Sequence, residues 1–158
     1  MKEPQMRWSA TSPSFLVSAA LAAFMLFLGV RGLIAPEAAA HGFGFGLADP
    51  SDAVWLRVKG DRDLTAALGI AMFLALRWRR GLGALLLASI ASPLLDCAIS
   101  LATPGHNTTF AVAMHGGATA LVAVLGVVLF RGHAASTADT TDATTSPGGG
   151  PSRRTGRS

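Results

Sequence analysis

Charge and sulfur are scarce in this chain. Its 158 residues include one cysteine and no tyrosine, with 7% aromatic and 14% charged residues. A lone Cys97 excludes an intrachain disulfide and any multi-cysteine metal site, and it reads as a small apolar filler. Soluble domains carry about 25% charge, so a chain that is 14% charged and 51% hydrophobic points to the bilayer. The formal net charge of +4 does not mark a nucleic-acid binder. The basic residues lie between apolar runs and in a polar tail, and they form no single basic face. His41, His106, His115 and His133 lack the spacing of paired zinc ligands, so no metal is expected. There is no Gly-x-Ser-x-Gly nucleophile elbow. The glycine–phenylalanine alternation at 42–46 follows no strand and opens no βαβ unit, so no cofactor is expected from it.

Long apolar runs dominate what remains. Four are visible, at about 14–34, 53–76, 81–101 and 109–130. Each approaches the ~20 residues that cross a ~30 Å hydrocarbon core. No alternating strand pattern competes with them. The second run is the weakest, because residues 57–63 read Arg-Val-Lys-Gly-Asp-Arg-Asp and its uncharged part, from Leu64, is too short to cross alone. The first run also has a rival reading as a cleaved signal peptide, with Lys2 and Arg7 before it and Ala38 to Ala40 after it. Arg31 and Pro36 intervene, the apolar core is long, and three more runs follow. Retention as an anchor is the better reading.

Basic residues set an orientation. Lys2 and Arg7 precede the first run, Arg77, Arg79 and Arg80 separate the second from the third, and Arg131 closes the fourth. The segments 35–52 and 102–108 contain no lysine or arginine. The positive-inside rule then puts both termini and the 77–80 turn in the cytoplasm of a cell with a multi-pass protein in its cytoplasmic membrane. Trp8, Trp55 and Trp78 fall near the proposed span ends, as an aromatic belt would place them. Residues 131–158 are rich in Thr, Ser, Gly and Pro and read as a disordered cytoplasmic tail. The expected architecture is therefore all-α. It comprises a cytoplasmic arm at 1–13, an integral membrane four-helix bundle at 14–130 and the tail.

With that topology the ionisable groups gather at one depth. Arg31 lies near the outer end of the first span and Lys59, Arg62 and Asp63 in the outer half of the second. Asp96 comes late in the third and His115 early in the fourth. Lys59, Arg62 and Asp63 stand at i, i+3 and i+4 and share a helical face; Arg57 and Asp61 pair on roughly the opposite side. Ser89, Ser92 and Asp96 form a polar stripe expected to face inward. Gly60, Gly69, Gly116 and Gly117 are expected to let helices approach closely. Charge within a membrane is expensive, so it persists where it pairs or lines a polar cavity. Two readings stand. One is a set of structural ion pairs locking the helices together. The other is an outward-opening pocket of Arg31, Lys59, Arg62, Asp63, Asp96 and His115, with Asp63, Asp96 and His115 as candidate acid–base groups.

The order of these residues resembles a known family. Leu33-Ile34-Ala35-Pro36, then Phe45-Gly46-Leu47, then Lys59-Gly60-Asp61-Arg62-Asp63-Leu64, then Asp96 and His115, are similar to the small four-helix membrane proteins catalogued as domain of unknown function 4267. The likeness runs from about Phe15 to Phe130, and Lys-Gly-x-Arg-Asp is its most specific element. The resemblance implies a four-helix integral membrane fold and no particular biochemical activity.

Three functions follow as expectations. The first is a non-enzymatic membrane protein that binds a lipophilic small molecule or joins a larger complex, either with a second copy of itself or with another membrane protein. The second is a membrane-embedded enzyme doing isomerase- or cyclase-type acid–base chemistry on a lipophilic substrate. The third is a small transporter, for which the sequence shows no inverted repeat.

Overall fold

The computed structural model describes residues 8–42, 47, 49–102 and 108–132. Residues 133–158 of the expected disordered tail, the arm before Trp8 and positions 43–46 of the glycine–phenylalanine turn lie outside them. Gly42, by contrast, closes the short helix Pro36–Gly42, and Arg131, expected in the tail, is the last helical residue of the chain's final rod. Among the described residues every regular element is helical.

Local signals account for the helix ends. Ser12 caps α1 (Pro13–Ile34): the Phe15 N–H donates to its Oγ at 3.3 Å, and Pro13 opens the first turn with a pre-set φ. Pro36 disfavours helical geometry at Ala35, so α1 stops there and the short α2 (Pro36–Gly42) begins anew. Asp49 caps a 3-10 turn, Pro50–Asp52, by accepting the Ser51 N–H at 2.8 Å. The hydrogen bonds from Ser51 hold the Asp49 carboxylate below its ordinary value of 3.8. A depressed pKa means that this cap is present above the ordinary value and is lost as pH falls through the lowered one. The long α3 (Ala53–Ala75) follows, and Arg77 at φ 54° reverses the chain. α4 (Arg79–Ser89) and α5 (Ala91–Ala102) form one rod interrupted at Ile90. Pro93 causes the break, since it lacks an N–H and its ring clashes with the carbonyl four residues back. The last rod is α6 (Thr108–Ala111), a π turn (Val112–Gly116) and α7 (Gly117–Arg131).

Three helices are long and apolar enough to cross a membrane: Pro13–Ile34, Arg79–Ala102 and Val112–Arg131. α3 has the length, at 23 residues, but the charges of its first half keep it out of that set. The faces these helices turn outward are strongly apolar, with Phe24, Phe27, Leu68, Ile99 and Val124 all exposed.

The rods pair as two hairpins, and each pair is closed by glycine. α1 crosses α3 at Gly29, Gly32 and Gly60, where a Cβ on Gly60 would lie 2.8 Å from the Gly29 carbonyl oxygen and 3.0 Å from the Leu33 nitrogen. α4 crosses α7 at Gly83 and Gly126, where a Cβ on Gly83 would lie 2.7 Å from the Phe130 nitrogen. In lipid, where apolar burial between helices gains little, such backbone contact is a main source of association. Of the four glycines expected to do this, only Gly60 does. Gly69 meets the end of the Leu85 side chain at an ordinary 3.5 Å, Gly116 meets only its own helix, and Gly117 has nothing within 4 Å. A glycine permits contact but does not direct a partner to it.

Both hairpins meet near the basic turn. Ile70 and Leu74 of α3, Leu82 and Leu86 of α4, and Leu125 and Leu129 of α7 form the buried cluster, with Phe15, Ala19 and Ala22 of α1 packed against it. Trp8 joins this cluster at 8% exposure, its Nε1 donating to Ser14 Oγ at 3.1 Å, whereas Trp55 and Trp78 are exposed at 70% and 57%. Trp8 therefore departs from the expected aromatic belt, because the Ser9–Ser12 turn folds it back onto the helices.

The basic turn makes structural contacts of its own. Arg77 donates to the Trp8 carbonyl at 3.2 Å and lies 4.6 Å above the Phe15 ring. Arg79 donates to the carbonyls of Val128 at 3.0 Å and Gly132 at 3.2 Å, satisfying the open C-terminus of α7 and complementing its negative dipole end. Arg79→Ala should cost about 1–2 kcal/mol, a charged hydrogen-bond pair reduced by its exposure. Amide exchange would rise at Val128 to Gly132 and stay unchanged at the α1–α3 crossing. Equal exchange at both places would show that the cap contributes nothing.

Candidate functional site

Three of the candidate residues find partners among their own neighbours. Lys59 Nζ donates to Asp63 Oδ2 at 3.0 Å and to Oδ1 at 3.3 Å, with the side chains 30% and 13% exposed. Four residues apart on one helix, they face each other one turn on, so a pair forms wherever that face is sheltered. Gly60 decides which face that is, because its contact with α1 fixes the rotation of α3. Arg62, three residues from Lys59, is thereby turned to the exposed side together with Arg57 and Asp61. Among the described residues Arg57 and Asp61 do not close to ion-pair distance. Arg31 is half-buried, and its guanidinium donates to the Ala38 carbonyl of α2, which ties that short helix to α1.

Asp96 and His115 belong to the other hairpin. α5 packs on the π turn and on α6, and among the described residues it has no close backbone approach to α1 or α3. The six expected site residues are thus not gathered into one chamber among the described residues. They fall into a Lys59–Asp63 pair with Arg31 on the first hairpin and an Asp96–His115 region on the second. Similar depths along the helix axes follow from residue spacing, which carries no lateral distances.

The second region has a distinct construction. On α5 the half-buried positions are Pro93, Asp96, Cys97 and Ser100, spaced as one helical face. Ser92 is exposed, which corrects the inward stripe expected through Ser89, Ser92 and Asp96. The break at Ile90 resets the helical phase between Ser89 and Asp96. Ser100 Oγ donates to the Asp96 carbonyl at 2.8 Å, and Thr119 Oγ1 donates to the His115 carbonyl at 2.8 Å. His115 is half-buried within the π turn, a widened geometry that is frequent at functional sites. Neither α5 nor the π turn buries any side chain fully. The hairpin is closed tightly at Gly83 and Gly126 near its basic end and packs loosely at the other. Asp96 and His115 stand in the loose half.

Among the described residues no three His, Cys, Asp or Glu side chains converge as metal ligands. Sequence reasoning missed the structural roles of Arg77 and Arg79. Their acceptors are main-chain carbonyls, which leave no residue-type signal.

A family model described as a domain of unknown function (DUF4267) matches residues 22–129, from the middle of α1 through nearly all of α7. No curated protein and no solved structure matches the chain. The chain belongs to the DUF4267 family.

Proposed function

We propose that this is a multi-pass protein of the cytoplasmic membrane, a four-helix bundle with both termini inside, which binds a lipophilic small molecule in the outward half of its second hairpin. The observation that carries the reading is the loose packing of α5 against a π turn that presents His115, with Asp96 half-buried on the facing element. α3 completes the bundle, its Lys59–Asp63 pair lowering the penalty of its charged half. The ligand has an apolar body that the exposed hydrophobic walls accept and a polar group within reach of a carboxylate or imidazole.

A carboxyl and an imidazole on adjacent elements are also the two groups that acid–base chemistry uses, which supports the isomerase- or cyclase-type alternative. One experiment separates these readings. Native mass spectrometry of the protein released from its own membrane should show a defined small molecule on the wild type. That mass should be absent from Asp96→Asn and His115→Ala variants that remain helical and monodisperse. An intact wild type carrying nothing would refute the binding reading. A mixture of two related masses on the wild type, collapsing to one in His115→Ala, would favour turnover. A second polypeptide in place of a small molecule would favour a complex subunit.

A further inference from the structure

At the opposite, basic end of the molecule lies a second feature unrelated to Asp96 and His115. An open groove of about 440 Å³ runs between the start of α4 and the ends of α3 and α7, walled by Phe73, Trp78, Ala84, Leu85 and Phe130, with Arg80 at its rim. Phe73 and Trp78 hold one wall, their ring centroids 5.4 Å apart. The lining is apolar except for this one guanidinium. The two neighbouring arginines are engaged, Arg77 with the Trp8 carbonyl and Arg79 with α7. Arg80 is exposed and makes no hydrogen bond or ion pair among the described residues. The groove therefore joins a hydrocarbon-compatible trough to one uncommitted positive charge at the height where Trp78 marks the membrane interface.

We infer that this groove seats one anionic phospholipid of the cytoplasmic leaflet, its acyl chain along Phe73, Leu85 and Phe130 and its phosphate on Arg80. Charge complementarity selects the occupant. The cytoplasmic leaflet is the one that carries anionic headgroups, and basic pockets between membrane helices on that side capture them. A guanidinium offers a planar pair of donors to phosphate oxygens, which a zwitterionic headgroup shields with its own amine. The inference rests on the membrane placement proposed above and is independent of the small-molecule site.

The test uses the full chain reconstituted in vesicles of phosphatidylcholine containing phosphatidylglycerol, extracted gently and examined by native mass spectrometry. One phosphatidylglycerol should stay on the wild type through delipidation. Arg80→Gln should weaken retention roughly fivefold, the effect of one basic residue at the surface of an anionic leaflet. Ala84→Trp should displace the lipid with Arg80 in place, because the indole fills the trough. Arg57→Gln, an exposed charge at the far end of the bundle, should leave retention unchanged. Equal retention in wild type, Arg80→Gln and Ala84→Trp overturns the site, and so does an equal loss in Arg57→Gln, which would reveal diffuse charge attraction. A chain that does not float with the vesicles overturns the membrane placement and this inference together. Flotation without selective retention overturns the lipid site alone.

Discussion

Gly60→Val should leave little folded protein, because the first hairpin cannot close around a side chain at that position. A Cβ there would meet the Gly29 carbonyl oxygen at 2.8 Å, the Leu33 nitrogen at 3.0 Å and the Gly32 carbonyl carbon at 3.1 Å. All three are backbone atoms of α1, so no rotamer change can relieve the overlap, and α1 and α3 must separate. Overpacking typically costs 1–3 kcal/mol, and an obstacle made of backbone puts this substitution at about 3 kcal/mol or more. Separation also strips shelter from Lys59 and Asp63, which flank the crossing. The measurement is thermal unfolding in detergent, followed by helicity and by retention of a monodisperse species. Gly117→Ala is the control. Nothing lies within 4 Å of its added Cβ, so it should be neutral or stabilise by up to about 1 kcal/mol through helix propensity. If Gly60→Val unfolds no earlier than Gly117→Ala, the α1–α3 crossing is not what holds the hairpin.

Asp63→Asn should destabilise the protein far more than its conservative chemistry suggests. The substitution removes the anion and leaves the Lys59 ammonium, 30% exposed, without its carboxylate at 3.0 Å. Breaking a fully buried pair costs about 3–5 kcal/mol. Partial exposure reduces that here to about 1–3 kcal/mol, the upper part applying if lipid surrounds α3. Lys59→Met with Asp63→Leu should recover most of the loss, since removing both charges removes the desolvation penalty as well as the attraction. Expression level and unfolding temperature in the three variants read this directly. Should Asp63→Asn stay fully stable while the mass bound by the wild type disappears, the pair belongs to the ligand site and its role is not structural. Should the double variant be as unstable as Asp63→Asn, the charges serve some partner other than each other.

These two expectations show where sequence reading succeeds and where it stops. The helices, the low charge of three rods and the likeness to a four-helix membrane family are all local or compositional, so they were legible. The break before Pro93 was not, since 81–101 reads as one continuous rod. The Lys59–Asp63 pair was legible too, because residues four apart on a helix are neighbours, although the equally spaced Arg57 and Asp61, on the exposed face, do not close. Arg62 was assigned to the same face by its i+3 spacing from Lys59, yet it is exposed. The rotation of α3 follows the glycine contact, which spacing along one helix cannot reveal. The same limit applies to Ser92, which lost its place in the polar stripe when Ile90 reset the helical phase.

By itself the sequence determined an all-helical chain with membrane-compatible rods, roughly where each rod starts and stops, and the Lys59–Asp63 pair. Hydrophobic runs, proline, caps and i, i+4 spacing act over a turn or two of chain, so they survive without knowledge of neighbours. Only the tertiary structure decided which glycines carry the crossings, that Trp8 enters the core, and that Arg79 caps a helix some fifty positions along the chain. It also placed Asp96 and His115 on one hairpin and Lys59 and Asp63 on the other. Those are lateral relations between rods. Along a uniformly apolar chain they are set by the shape of helix surfaces in contact, for which the order of residues carries no simple periodic signal.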